Sequence, residues 1–361
     1  MLMIPNTVYR SPNSTAPTAD TPAGLLKVPA ARAWTVQVLA ALLLAILLSS
    51  ARTHAESIGF RDLRMQSDGE HMVAAVWYPT DVADGQTVEG PFPMTAVRNA
   101  PLAEGHFGLV LISHGTGGHR LGHRGTAIRL ARAGYVVAAP EHGGDNWRDA
   151  RYSGTAENWV RRPRQLRALL DRLLGDREFD MRIDPARIAA IGHSAGGYSV
   201  LALIGGRADM RVLASHCTRF RDRDPVFCSY GRPGGTTGGL LPDLTDRRIR
   251  AAVAVAPTGA LFGPGAFPQV TVPVQIHRLG RDRVLRRPWH EDNIMRLLGD
   301  GERPVLHPEA HHFAFIAPFP ASLIDEVGEP ARDPPGFDRK AFLSRIESRI
   351  LDFLTSALAS E

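Results

Sequence analysis

Gly192-His193-Ser194-Ala195-Gly196-Gly197 is the stretch of this sequence best suited to covalent chemistry. A serine hydroxyl attacks a carbonyl carbon only when a base takes its proton and two hydrogen-bond donors await the oxyanion that forms. The G-x-S-x-G spacing meets the geometric part of that demand. Glycines on either side permit a turn too tight for larger residues, and the serine is pushed out at its tip. Ile188-Ala189-Ala190-Ile191 reads as a strand before this turn and Ser199 to Ile204 as an apolar helix after it, which puts Ser194 at the carboxyl end of a strand.

The remaining parts of such a machine have candidates elsewhere. His114-Gly115-Thr116-Gly117-Gly118 follows a short apolar run, and its glycines let backbone N–H groups turn inwards; the amides of Thr116 and Ala195 are the expected oxyanion donors. Among 14 histidines, His311-His312 follow the last short strand, and His312 is preferred over His311 as the base. Val272 to Leu279 reads as a strand ending in Gly280-Arg281-Asp282, so Asp282 is the expected orienting carboxylate, ahead of Glu291 and Asp292. The chain order Ser194, Asp282, His312 is one of the known orders for a serine, acid and histidine triad. His142, in Glu141-His142-Gly143-Gly144-Asp145, ends another strand on the same side and is a candidate wall of the substrate pocket. His119 and His123 are four apart, but no third ligand accompanies them, and neither a metal nor a cofactor is expected.

The elements that must position these residues alternate. Two strands, Gly59 to Gln66 and His71 to Tyr78, flank a Ser-Asp-Gly-Glu turn and read as a hairpin. A polar loop, Thr80 to Gly105, follows. Then come a strand (Phe107 to Ser113), a helix (Gly122 to Ala133), a strand (Tyr135 to Ala139), a helix (Glu157 to Leu174) and the strand leading to Ser194. Beyond the nucleophile lie an irregular stretch (Gly205 to Asp246), strands at Ile249 to Ala256 and Val272 to Leu279, a helix (Trp289 to Leu298), a short strand (Pro304 to His307) and a terminal helix (Asp338 to Ala359). Short buried strands alternating with helices predict an α/β protein with a mainly parallel sheet covered on both faces.

Composition bounds the setting. The chain has 361 residues, 44% hydrophobic and 22% charged, which excludes collagen, coiled coil and wholly disordered chains. The net charge of +5 comes almost entirely from Arg interleaved with Asp, and the densest run, Arg161 to Arg167, reads as a solvated helix face; no nucleic-acid partner is expected. Residues 1–55 differ from the rest: Trp34 to Leu48 is almost continuously apolar, and Thr53-His54-Ala55 fits a cleavage site. This predicts a leader with a secretory signal peptide over 1–55, a catalytic domain over 56–361 and a periplasmic or secreted location. Retention of residues 34–48 as a membrane anchor is the alternative; once cleaved, the mature form would have no stable membrane span. Cys217 and Cys228 would then close a short disulfide loop inside an insertion at about 205–248, read as a cap whose Phe220, Phe227 and Tyr230 face the substrate.

From about Ile58 to its C-terminus the chain resembles the α/β-hydrolases. Within that superfamily it resembles a serine-dependent group labelled predicted dienelactone hydrolase, related to platelet-activating factor acetylhydrolases and bacterial polyesterases. The resemblance is carried by the opening R-D-L-R-M-Q-S-D-G-E-H and V-W-Y-P, H-G-T-G-G, P-E-H-G-G-D-N, R-R-P-R-Q-L-R-A-L-L-D, G-H-S-A-G-G and H-H-F-A-F-I-A-P. It implies an α/β-hydrolase fold with a short cap and hydrolysis of a small-molecule or lipid-like ester. Two departures stand out. Ser194 replaces the cysteine of true dienelactone hydrolases. The strand after the nucleophile ends Ala254-Val255-Ala256-Pro257-Thr258 with no carboxylate, which leaves Asp282, one strand later, as the acid. An acyltransferase or peptidase using the same three residues, and a non-catalytic binding protein of the same fold, are the rival expectations.

Overall fold

The computed structural model describes residues 57–231, 238–299 and 304–359; the expected leader over 1–55, its cleavage site and the apolar segment 34–48 lie outside the described residues. The described residues form eleven strands: β1 (Ser57–Ser67), β2 (Glu70–Thr80), β3 (Gln86–Glu89), β4 (Phe92–Thr95), β5 (Val97–Arg98), β6 (Phe107–Ser113), β7 (Tyr135–Pro140), β8 (Ile183–His193), β9 (Ala251–Val255), β10 (Val274–Leu279) and β11 (Val305–His307). Nine of them build one sheet in the order β11-β10-β9-β8-β6-β7-β2-β1-β5, and β3 pairs with β4 separately. Strands β7, β6, β8, β9, β10 and β11 run parallel, while β2 joins β7 antiparallel and forms the hairpin with β1.

The α-helices among the described residues are α1 (Arg124–Arg132), α2 (Ala156–Leu174), α3 (Arg177–Asp180), α4 (Ala195–Leu203), α5 (Met210–Phe220), α6 (Pro225–Ser229), α7 (Glu291–Leu298), α8 (Ile324–Val327) and α9 (Arg339–Ala357). Side chains alternate across a strand, so each central strand feeds two cores. Leu109 and Leu111 of β6 face one core and Val110 and Ile112 the other, and β8 divides in the same way between Ile188 with Ala190 and Ala189 with Ile191. The first core is closed by Leu166, Leu169, Leu170 and Leu173 of α2 with Val200 and Leu201 of α4. The second is closed by Leu130 and Ala131 of α1 with Phe342, Ile346, Ile350 and Leu354 of α9. The four α2 leucines are fully buried, each contributing about 2 kcal/mol of burial free energy. Among the described residues, no helix is long and apolar enough to cross a membrane.

Three expectations are corrected. The loop from Thr80 to Gly105 contains β3, β4 and β5, whose strands are too short to show a periodicity. The stretch from Gly205 to Asp246 contains α5 and α6, with Asp209 capping α5 by accepting from the Arg211 amide. The run Arg161 to Arg167 is not a uniformly solvated face: Arg162 is fully buried and Arg161 nearly so.

Candidate active site

Ser194 lies between β8 and α4 with φ 55° and ψ −118°, a left-handed conformation that costs an L-residue on the order of 1 to 3 kcal/mol. The turn is tied down on both sides. The Ser194 N–H donates to Val255 O at 3.0 Å, and the Ser194 carbonyl accepts from Thr258 and Tyr198 N–H at 3.1 and 3.2 Å. Two glycines are required by close approach. A Cβ on Gly192 would lie 2.0 Å from Gly196 O, and one on Gly196 would lie 2.0 Å from Ser113 O.

His312 opens a 3-10 turn, His312–Phe315, after β11. Its Nε2 accepts from Ser194 Oγ–H at 3.1 Å, and its Nδ1–H donates to Asp282 Oδ2 at 2.6 Å. The other oxygen of Asp282 accepts the Val284 and Leu285 amides, each at 2.8 Å, so the carboxylate is clamped by the loop that follows it. His311 points elsewhere, its Nε2–H donating to Asp333 Oδ1 at 3.0 Å. A further buried histidine holds His312: His193 Nε2–H donates to the His312 carbonyl at 2.8 Å, and burial holds its ring neutral.

The loop bearing Thr116 follows β6 and faces the N-terminus of α4. Among the described residues, neither the Thr116 nor the Ala195 amide has a protein acceptor. The loop is held from beneath by a network. Arg162 Nη1 pairs with Asp145 Oδ2 at 2.7 Å, and Arg162 Nη2 donates to His114 O. Asp145 Oδ1 in turn accepts the Gly117 amide at 3.2 Å. Burial opposes ionisation of Asp145, but Arg162, Ser153 and Asn158 outweigh it and hold the carboxyl below its ordinary range.

His142 belongs to this support and is not on the pocket wall. It is wholly buried; its Nε2 accepts from Ser113 Oγ–H and its Nδ1–H donates to Gln165 Oε1, both at 2.8 Å. The expected substrate contact is therefore corrected to a contact beneath the loop that bears Thr116. Asp145 and Arg162 stand in the P-E-H-G-G-D-N and R-R-P-R-Q segments, but neither spacing shows that the two meet.

A cavity of about 590 Å³ opens over Ser194 and His312. Its wall includes the aromatic side chains of Phe92, Trp147, Trp159, Phe227, Tyr230 and Phe313. The insertion at 205–248 supplies Phe227 and Tyr230, whereas Phe220 turns away and stacks on Trp289 at 5.1 Å between ring centres. The cover is shared: the β3–β4 hairpin and the segment carrying Ile316, Phe319 and Leu323 also line the cavity.

Cys217 and Cys228 form a disulfide that joins α5 to α6. Beside it, buried Asp224 Oδ2 accepts Nε2–H from both His216 and His290 at 2.9 Å, and Oδ1 accepts the Arg286 amide at 3.4 Å. Burial works to raise the Asp224 carboxyl, but these two histidines outweigh it and lower it to about 2. The stapled insertion thereby grips the loop that clamps Asp282. His216 and the two sulfurs lie close together, but sulfurs bonded to each other offer no thiolate to a metal.

The mainly parallel sheet, the strained serine between strand and helix and the acid and histidine after later strands define an α/β-hydrolase fold. Comparison with solved structures agrees. The chain is similar to a ferulic acid esterase from Streptomyces cinnamoneus, with 20% identity and a TM-score of 0.58 over 85% of this chain and 92% of that one. It is also similar to a dienelactone hydrolase-like promiscuous phosphotriesterase from metagenomic libraries, with 16% identity and a TM-score of 0.50 over 83% and 99% of the two chains. Residues 82–156 match the sequence model of the family described as platelet-activating factor acetylhydrolase, isoform II. A search of curated proteins finds no match.

Proposed function

We propose that this protein is an exported serine hydrolase of carboxylic esters. Ser194 attacks the ester carbonyl while His312 takes its proton, and Asp282 keeps the imidazole in the tautomer whose Nε2 faces the serine. The amides of Thr116 and Ala195 receive the oxyanion. His312 then returns the proton to the departing alcohol, and water, activated by the same base, releases the acid from Ser194. The observation that carries this reading is the continuous chain from Ser194 Oγ through His312 to Asp282, at 3.1 and 2.6 Å. The similarity to proteins named as an acetylhydrolase family and a ferulic acid esterase supports ester chemistry, and the aromatic cavity supports an acyl or alcohol group of some bulk. The Cys217–Cys228 disulfide favours an oxidising compartment, periplasmic or extracellular.

A fluorophosphonate is expected to label Ser194, and Ser194→Ala to abolish both labelling and p-nitrophenyl ester turnover. A fully active alanine variant would overturn the proposal. Release of free acid in the presence of added alcohols and amines separates hydrolysis from acyl transfer.

A further inference from the structure

The cavity wall carries a cation that the described residues leave without an acid partner. Arg120 in the same wall is saturated by acids: its Nη2 lies 2.7 Å from Glu89 Oε1, its Nε 3.3 Å from Asp62 Oδ1 and its Nη1 3.7 Å from Glu141 Oε2. Arg124, one turn further along, differs. Among the described residues no carboxylate lies within ion-pair distance of it, and its side-chain acceptors are two main-chain carbonyls, Leu121 O at 3.5 Å from Nη1 and Pro318 O near Nη2. The guanidinium is held against the face of Phe92, 4.8 Å from the ring centre. Three of its five N–H donors therefore have no protein acceptor. Burial without an opposing acid lowers its pKa to about 10, which is the cost of holding this charge unpaired. Among the described residues, Glu326 also lines the cavity but makes no ion pair with Arg124, and Arg148, stacked on Trp147 at 4.3 Å, adds a second cation to the wall with no acid partner.

We propose that the cavity selects esters bearing a second, anionic group remote from the scissile bond, a carboxylate, and that Arg124 is the residue that binds it. Arg124 lines the cavity with its guanidinium over Phe92 and three N–H donors left over, and a planar carboxylate is the ligand such donors match. The aromatic lining takes the body of the substrate and Arg124 its charged end. This proposal rests on the hydrolase reading and names the substrate class for it. The carboxylate can belong to the acyl part or to the alcohol part of the ester, and the two sources are separable.

The test uses the full chain and two matched pairs of esters. In one pair the acyl part carries the charge: p-nitrophenyl hydrogen adipate against its methyl-capped diester. In the other the alcohol part carries it: p-acetoxybenzoate against its methyl ester. The expected result is a kcat/KM preference for the anionic member of at least one pair, about tenfold at low ionic strength and weaker with added salt. Arg124→Gln is expected to lose that preference, with the loss falling on the anionic member, and Arg124→Lys to restore part of it. Equal turnover of anionic and neutral members by the parent protein, or equal losses on both in Arg124→Gln with Ser194 still labelled by fluorophosphonate, would overturn the assignment of Arg124 alone. No turnover of any of the four esters and no adduct on Ser194 would instead strike the hydrolase reading itself.

Discussion

Asp145 and Arg162 form an ion pair in which neither side chain retains any solvent exposure, and the pair bridges both ends of the loop that carries Thr116. One end is gripped through the His114 carbonyl and the other through the Gly117 amide. Two charges are placed in a protein interior at considerable desolvation cost, and here they meet each other and the main chain of one loop. The pair fixes where the Thr116 amide points before any substrate arrives.

Removing one partner leaves the other charge buried and alone. Arg162→Met is expected to cost about 3 to 5 kcal/mol, read from urea unfolding. Asp145→Asn, which keeps the shape but puts an NH2 where one carboxylate oxygen accepts two hydrogen bonds, is the second probe: kcat should fall roughly tenfold or more with KM little changed, because an oxyanion donor acts mainly in the transition state. Asp145 has its carboxyl held below its ordinary value in the folded state, so its stabilisation is present above that ordinary value and is lost as pH falls through the folded one. Acid unfolding of Asp145→Asn should accordingly show a shallower pH dependence than that of the parent.

Glu291 predicts the opposite pH dependence. It is almost wholly buried in the first turn of α7, its Oε2 has no hydrogen-bond partner among the described residues, and burial, with the charge of Asp282, raises its pKa to about 7. A carboxyl raised on folding stabilises the folded state fully below its unfolded pKa, and that contribution is lost as pH rises through about 7. Glu291→Gln should therefore gain on the parent by about 2 to 3 kcal/mol between pH ~5 and ~8, compared by chemical denaturation at both. An equal difference at the two pH values would show that Glu291 does not titrate there.

Loss of the disulfide should act at two levels. Cys217→Ser with Cys228→Ser is expected to cost about 3 kcal/mol by releasing the short loop in the unfolded chain. Because Asp224 beside the staple holds the Arg286 amide and His290, the Asp282 clamp should loosen as well, lowering kcat more than the labelling of residual folded protein falls. Asp224→Asn is expected to reproduce the kinetic loss with the disulfide intact.

Gly196→Ala should fail for steric reasons alone. The added methyl would sit 2.0 Å from the main-chain Ser113 O, a clash that neither α4 nor β6 can relieve without moving the Ser194 turn. The expected outcome is a loss of at least about 3 kcal/mol or of soluble expression, assayed beside Ser199→Ala, which deletes one buried hydroxyl and should fold.

The hairpin of β1 and β2, the alternation of buried strands with helices and the strand-turn-helix around Ser194 were legible in the sequence because each depends on neighbours a few residues apart. Glycine spacing could be read as a tight turn since the clash it avoids lies within the turn and the adjoining strand end. Strands β3 to β5 and helices α5 and α6 were not legible; the strands are two to four residues long, and α5 and α6 are held by contacts with distant parts of the chain. The same cause misled the reading of Arg161 to Arg167, where the charge pattern of a surface helix conceals a side chain that finds its counter-ion seventeen residues earlier.

By itself the sequence determined that a serine would stand at the end of a buried strand, with a histidine and a carboxylate available after later strands. Only the tertiary structure decided which groups meet. Parallel strands end on one edge, so residues 30 and 118 positions from His312 come within 3.1 Å of its ring, and no spacing rule reaches that far. Fourteen histidines look alike in sequence. Burial and hydrogen-bond partners divide them into a residue facing Ser194, supports such as His142 and His193, and the pair that clasps Asp224. The same holds for the arginines, where pairing with an acid, or its lack at Arg124, is decided by what the fold brings alongside.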